Sequence, residues 1–110
     1  MILVTGGGGY IGSHIVKRLA EGGKKVRVLV RDRRRVEREG RLAGLPVEIS
    51  VGDVTVPDSL PPAFHGVRSV IHTVAIAIEK GGRTYEGVNL DGTVNVVDAT
   101  QEAGVRRFIN

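Results

Sequence analysis

The sequence contains no cysteine, few aromatic residues and no long apolar run, and each absence excludes a class of protein. Without cysteine, neither a disulfide framework nor a cysteine-based metal site can form. This absence fits a reducing compartment, and we expect a cytoplasmic protein. No apolar run is long enough to span a bilayer. The first four residues lack the basic and apolar regions of a signal peptide.

Positive charge is concentrated between Arg31 and Arg41, where six arginines accompany three acidic residues in a chain of net charge +4. This run is interpreted as a solvated helix face with i,i+4 ion pairs, as a contact for a cofactor phosphate through its first arginines, or as a nucleic-acid surface. Nucleic-acid surfaces use aromatic side chains for stacking. Aromatic residues make up only 4% of the chain and none lies in the run, so we expect no nucleic-acid partner.

Short apolar runs alternate with helical patterns along all 110 residues, which predicts one α/β domain over residues 1–110. The runs are continuously apolar, as is typical of parallel strands buried on both faces. We predict a doubly wound parallel sheet with strand order 3-2-1-4-5. Its predicted strands are Ile2–Val4, Val26–Val30, Val47–Val51, Ser69–Val74 and Val105–Asn110. The predicted helices begin near Gly9, in the arginine-rich stretch, at Asp58 (for a turn or two before Pro61) and at Thr84.

The last predicted helix, Thr84–Ala103, has the clearest period. Its small and apolar side chains recur at helical spacing, which predicts one buried stripe. The stripe consists of Tyr85, Val88, Gly92, Val96 and Ala103.

Five of the first twelve residues (MILVTGGGGYIG) are glycine. They follow a strand and precede a helix, where a dinucleotide fold places the pyrophosphate against free N–H groups. Two glycine patterns fit: G-x-G-x-x-G beginning at Gly7, and T-G-x-x-G-x-x-G beginning at Thr5. In the second pattern Gly6, Gly9 and Gly12 have assigned roles. The two glycines between Gly6 and Gly9 are then expected to tolerate side chains.

The second pattern resembles the short-chain dehydrogenase/reductase superfamily in its extended or atypical branch. The segments LVRDRRR, GDVTVPDSL, VIHTVAIA and YEGVNLDGTVNVVDATQEAGVRRFI share this likeness. The sequence is most similar to epimerase/dehydratase-like proteins that act on sugar nucleotides, including relatives of the complex I accessory subunit that binds NADPH. The resemblance implies a Rossmann fold and nicotinamide-dinucleotide binding, and it names no substrate.

The resemblance also implies a role for individual residues. Asp53 and Val54 would meet the adenine, although Asp53 has the alternative of a turn or cap residue. Asn89 would support the strand ends, or else be a polar residue of a helix surface. The residues implied at the pyrophosphate are Gly6, Gly9, Tyr10, Ile11 and Gly12, and those beside the nicotinamide ribose are Thr73, Val74 and Ala75.

The choice between NAD and NADP depends on the end of the second strand. An acidic residue there binds the ribose 2′-hydroxyl, whereas an arginine accepts a 2′-phosphate. Arg31 comes first and Asp32 second, and Arg33–Arg35 add positive charge. The sequence therefore favours NADP over NAD.

The Tyr-x-x-x-Lys pair of short-chain reductases is absent from these residues, because His14 follows Tyr10 and Asn89 follows Tyr85 at that spacing. The three histidines show no metal or triad spacing and are expected to be structural or exposed. We expect the N-terminal, cofactor-binding part of a longer epimerase, dehydratase or reductase, inactive alone. The alternative is a non-catalytic NADPH-binding accessory subunit or redox-sensing regulator. An exposed fifth-strand edge predicts self-association, for example as a homodimer.

Overall fold

The strands at the centre of the sheet are buried on both faces, because helices or turns cover each side. The computed structural model describes residues 1–73, 84 and 86–110. The strands are β1 (Ile2–Thr5), β2 (Val26–Val30), β3 (Glu48–Val51), β4 (Ser69–His72) and β5 (Arg107–Ile109). The helices are α1 (Tyr10–Glu21), α2 (Arg33–Glu39) and α3 (Gly92–Glu102). Two 3₁₀ turns (Pro57–Ser59 and Pro61–Phe64) precede β4, and a π-helical segment (Glu86–Asp91) precedes α3.

All strand pairs are parallel, and the sheet order β3-β2-β1-β4-β5 confirms the predicted topology. Successive residues of β1 point to opposite faces, so Leu3 and Val4 enter two separate cores and both are fully buried. The core around Leu3 also contains Val96 of α3 and Phe64 of the second 3₁₀ turn. The core around Val4 contains Val16 of α1, with Val36 of α2 packed against it.

The last helical region differs from the single regular helix predicted from Thr84. Its first part is a π-helical segment, and the α-helix begins only at Gly92. Val88, Gly92 and Val96 are buried as predicted, but Ala103 is exposed. Ala103 is wrong in the predicted stripe because α3 ends at Glu102 and Ala103 is its C-cap. Tyr85 lies outside the described residues.

Helical structure near Asp58 is short, as predicted, but it consists of two 3₁₀ turns with proline at the start of each, and the second begins at Pro61 instead of ending before it. Proline lacks an N–H donor and is tolerated in the first turn of a helix, but not in its interior. The arginine-rich helix is also short, because Gly40 adopts a left-handed conformation with φ 69° directly after Glu39. No helix in the described residues is long and apolar enough to cross a membrane.

The buried side chain of His72 links the ends of β1 and β4 to α3 through a chain of hydrogen bonds. Its Nδ1 lies 2.7 Å from Thr5 Oγ1, and its Nε2 lies 3.0 Å from Thr93 Oγ1. The Thr93 hydroxyl donates to the Asn89 carbonyl, so it accepts from His72 Nε2. The Thr5 hydroxyl accepts from the Thr73 N–H and also bonds to His72 Nδ1. His72 thus carries a proton on Nε2, and in the neutral imidazole Nδ1 accepts from the Thr5 hydroxyl.

Burial lowers the pKa of His72 below its usual value. Below about pH 6.5 this histidine is protonated in the unfolded chain, whereas in the folded protein it stays neutral to a lower pH. We therefore expect the free energy of unfolding to be largest above about pH 6.5 and to fall as the pH drops through that value. Urea unfolding at a series of pH values measures this slope.

The matched control is His65, which is exposed. Within the described part of the chain its imidazole makes no hydrogen bond, and its backbone carbonyl accepts from Arg27. His72→Gln should lower the slope below pH 6.5, whereas His65→Gln should retain it. Equal slopes in the wild type and in His72→Gln would contradict the assignment. Where His72→Gln is too unstable to fold, an NMR titration of the imidazole in the wild type gives the pKa directly.

Candidate functional site

The turn between β1 and α1 brings the first helical residues into direct contact with the end of the strand. Gly6 adopts φ 68°, and its carbonyl accepts the N–H of Gly9 at 3.0 Å. A Cβ atom on Gly12 would lie 2.2 Å from that same carbonyl oxygen. Only glycine fits at Gly12, because backbone atoms rather than a flexible side chain occupy the space. The turn and the helix start therefore form one rigid unit.

Gly7 and Gly8 are packed against neighbouring elements, so the expectation that they tolerate side chains is wrong. A Cβ atom on Gly7 would lie 2.5 Å from Cγ1 of Val28, and one on Gly8 would lie 2.8 Å from Cγ2 of Val36. Gly9 is the more open position, since among the described residues its Cβ would meet only the Gly6 carbonyl oxygen, at 3.4 Å. Close packing against β2 and α2, and not only the turn itself, thus leaves little room for side chains at Gly7 and Gly8.

Among the residues that the structure describes, no side chain caps the N-terminus of α1. Gly9 is the N-cap residue, has no side chain to cap the helix, and no acidic residue lies in the first turn. The first N–H groups of a helix have no partner within the helix, and they carry the positive end of its dipole. Tyr10 and Ile11 are 70% and 68% exposed beside these groups. This helix start can therefore accept an anion with apolar surface next to it.

A cleft of about 230 Å³ lies next to the glycine turn, bordered by the ends of β2 and β3 and by α2. Six of the predicted site residues line it together: Gly6, Gly9, Arg31, Asp32, Asp53 and Val54. Tyr10, Ile11, Gly12 and Thr73 do not line this cleft. Gly12 is buried beneath the turn, and Thr73 lies across β1 from the cleft, at the end of β4. Val74 and Ala75 lie outside the described residues.

Arg31 and Asp32, at the end of β2, have different surroundings. Asp32 is the N-cap of α2, and its Oδ1 accepts the backbone N–H groups of Arg34 at 3.0 Å and Arg35 at 3.3 Å. Capping of this kind stabilises a helix start. The exposed Arg31 side chain has no hydrogen bond or ion pair with any residue that the structure describes. Arg31 is thus available to a bound anion, whereas Asp32 already has a structural role.

Asp53 and Val54 form the floor of the cleft after β3. Asp53 Oδ1 accepts hydrogen bonds from the backbone N–H and the hydroxyl of Thr55, at 2.9 and 2.7 Å, so Asp53 is a turn residue as well as a cleft residue. Val54 is 3% exposed, and its carbonyl accepts from Asn95 Nδ2 of α3 at 2.8 Å. Asn95 was not singled out by sequence analysis. Its bond to Val54 attaches the cleft floor to α3, and the two residues are 41 positions apart in the sequence.

The opposite end of the predicted site is anchored to β1. The Thr73 hydroxyl donates to the Thr5 carbonyl, and the Thr73 N–H bonds to Thr5 as well.

Asn89 is exposed in the π-helical segment, and its carbonyl accepts from Thr93. His14 and His65 are exposed and His72 is buried.

The sequence does not predict the cluster that three charged residues of the cleft form, namely Arg35, Glu39 and Arg41. Glu39, at the end of α2, accepts from Arg35 Nε at 2.8 Å and from Arg41 Nη1 at 2.6 Å. Arg41 Nη1 also donates to the Gly8 carbonyl at 3.3 Å. The i,i+4 spacing of Arg35 and Glu39 predicts their pair, but the contact between Arg41 and the glycine turn has no local signal.

Comparison with known proteins places this geometry in a family. The model of the NmrA-like family matches residues 1–110. The chain belongs to the NmrA-like family. A 3-beta-hydroxysteroid dehydrogenase of Mycolicibacterium neoaurum is 35% identical over 98% of this chain and 30% of its own length. This chain thus spans about a third of the length of that relative.

Solved structures related to this NmrA-like chain include proteins with bound NAD. A short-chain dehydrogenase/reductase superfamily protein of Agrobacterium tumefaciens with bound NAD is 32% identical, with a TM-score of 0.77 over 98% of this chain and 31% of its own. The UDP-glucose 4-epimerase of Thermus thermophilus in complex with NAD is 31% identical, with a TM-score of 0.76 over 97% of this chain and 35% of its own. The predicted resemblance to the short-chain dehydrogenase/reductase superfamily is confirmed, as is the Rossmann fold.

The packing of the glycine turn predicts that a side chain destabilises the fold more at Gly7 than at Gly9. Gly7→Ala should lower the free energy of unfolding by about 1–3 kcal/mol, because the added methyl overpacks against Val28. Gly9→Ala adds the same methyl where there is more room, and should change stability by less than about 1 kcal/mol. Urea unfolding of the two variants tests the difference. Equal destabilisation would show that Gly7 is no more constrained than Gly9.

Proposed function

We propose that this chain is the NAD(P)-binding portion of an epimerase/dehydratase-like protein or reductase. The observation that carries the proposal is the uncapped start of α1, which opens beside a cleft bounded by the glycine turn and the ends of β2 and β3. In open α/β sheets, a dinucleotide binds at the carboxyl ends of the strands where the order reverses. Here that point lies between β1 and β4. The related structures with NAD support the same ligand class.

The pyrophosphate is proposed to lie on the N–H groups at the start of α1, against Gly9. Tyr10 and Ile11 flank that position and would lose exposed apolar surface on binding. The adenosine would enter the cleft, with the adenine against Asp53 and Val54. The nicotinamide ribose would lie beyond Thr73, near Val74 and Ala75. The bound dinucleotide supplies the hydride chemistry, and these residues bind and orient it.

We propose NADP as the preferred cofactor, with NAD as the alternative. Arg31 lines the cleft without an ion-pair partner in the described part of the chain, which supports recognition of a 2′-phosphate. The capping role of Asp32 engages one of its oxygens with α2, which makes it a poorer acceptor for a ribose 2′-hydroxyl. The cleft residues therefore favour an added phosphate over a free hydroxyl.

Arg31→Ala should weaken NADPH binding about 10- to 100-fold, as expected for the loss of a charge-assisted hydrogen bond, and should weaken NADH binding much less. Titration calorimetry with both nucleotides measures the two changes. The matched control is Arg38→Ala, which removes the same charge from the same stretch but outside the cleft lining. Equal losses for NADPH and NADH would contradict phosphate recognition, and no binding of either nucleotide would overturn the proposed function.

A second candidate is a non-catalytic NADPH-binding accessory subunit or redox-sensing regulator. A Tyr-x-x-x-Lys pair in the rest of a longer protein would favour the enzyme, and a whole protein without that pair would favour this second candidate. Both candidates use the same cleft, so nucleotide binding does not separate them. Oxidation or reduction of bound nucleotide by the whole protein, in the presence of a carbonyl or alcohol substrate, supports the enzyme. Binding without turnover supports the regulator.

We also propose self-association through β5. This strand is at one edge of the sheet, and Ile109 is 55% exposed on it. Unpaired strand edges invite pairing with a second chain. Light scattering at high protein concentration should show a dimer, and Ile109→Lys should shift it to monomer. A wild-type monomer at all concentrations would contradict the proposal.

A further inference from the structure

Glu39 is held between two arginines that both line the proposed nucleotide cleft. One carboxylate oxygen accepts from Arg35 and the other from Arg41, so both oxygens are engaged. The left-handed turn at Gly40 returns Arg41 to the side of Glu39 only two residues later. The Glu39 side chain is 30% exposed, less than either of its partners. Arg35 and Arg41 therefore form a local anion site, which the Glu39 carboxylate already occupies.

Arg41 connects this anion site to the glycine turn. Its Nη1 donates to both Glu39 and the Gly8 carbonyl, so a single guanidinium nitrogen spans from the end of α2 to the turn. Gly8 is itself packed against Val36 of α2. The anion site therefore lies at the border of the cleft, within reach of a group bound there, and not on a remote surface of the helix.

The charges that line the cleft balance one another. Arg31, Arg35 and Arg41 contribute three positive charges, and Asp32, Asp53 and Glu39 contribute three negative charges. The neighbouring arginines keep the pKa of Glu39 below its usual value, with the hydrogen bond from Arg35 as the largest cause. Glu39 is thus ionised at neutral pH, and an incoming phosphate would meet two arginines that already hold a carboxylate.

We propose that Glu39 is a specificity-determining residue that competes with the nucleotide 2′-phosphate for Arg35 and Arg41, and so lowers the preference for NADPH over NADH. The proposal rests on the proposed function. A phosphate monoester carries a larger charge than a carboxylate and offers three acceptor oxygens, so it can displace Glu39 from the two guanidinium groups. Part of the binding free energy is then lost in breaking the two existing ion pairs. NADH carries no 2′-phosphate and leaves these pairs intact.

The test compares Glu39→Gln with Glu37→Gln by calorimetric titration with NADPH and NADH. Both variants remove one negative charge from α2, but Glu37 is exposed and lies outside the cleft lining. Glu39→Gln should tighten NADPH binding about three- to tenfold, as expected from the loss of two partly exposed ion pairs, with NADH changed by less than about twofold. Glu37→Gln should change neither affinity by more than about twofold. In an Arg41→Ala background, the gain from Glu39→Gln should shrink.

Each contrary outcome has a distinct meaning. Weaker NADPH binding by Glu39→Gln would overturn competition, because the carboxylate would then be positioning the arginines for the phosphate. An unchanged ratio of NADPH to NADH affinity, with binding intact, would overturn the role of Glu39 alone. Failure of the wild type and of both variants to bind either nucleotide would overturn the proposed function, and this proposal with it.

Discussion

The close contact between Gly12 and the carbonyl oxygen of Gly6 is the constraint on which the site depends. It fixes where α1 begins relative to the end of β1, because no side-chain atom can stand between the two backbones. The start of α1 consequently lies at the border of the cleft, where Gly9 is both the N-cap residue and part of the cleft lining. Gly7 and Gly8 extend the constraint sideways, since the turn packs directly on Val28 and Val36. The start of α1 and the proposed adenosine cleft are thus held in one geometry by the glycines of this turn.

The end of β1 is fixed a second time, from the other direction, by the hydrogen bonds around His72. Thr5 is fully buried and bonds to His72, and its hydroxyl and carbonyl also bond to Thr73. His72 in turn reaches Thr93 of α3. Because parallel strands leave their last polar groups at one edge of the sheet, side chains must satisfy them there. The glycine turn therefore starts from a strand end that cannot shift relative to β4.

The sequence predicts the fold well because its signals are local and repeated. Each strand is a short apolar run, each helix has an apolar period, and right-handed crossovers leave few arrangements, so the order 3-2-1-4-5 follows. Contacts between distant segments are not visible in this way. The packing of Gly7 on Val28, the bond from Asn95 to the Val54 carbonyl and the reach of Arg41 to Gly8 join residues that are 21, 41 and 33 positions apart. The last helix is a further example, because its sequence pattern predicts a regular α-helix whereas its first part is π-helical. Val88 and Gly92 are buried nevertheless.

The arginine run shows why composition alone does not describe a binding site. Of its six arginines, only Arg31, Arg35 and Arg41 line the cleft, and Arg33 instead donates to the Ile49 carbonyl of β3. Those three are matched by three carboxylates of the same cleft, although the whole chain carries a net charge of +4. Charge effects at partly exposed positions act over short distances and are screened beyond about 10 Å. In the proposed nucleotide site, selectivity for a phosphate would therefore depend on which guanidinium groups of the cleft are already paired, and Arg31 is the one of the three with no ion pair to a described residue.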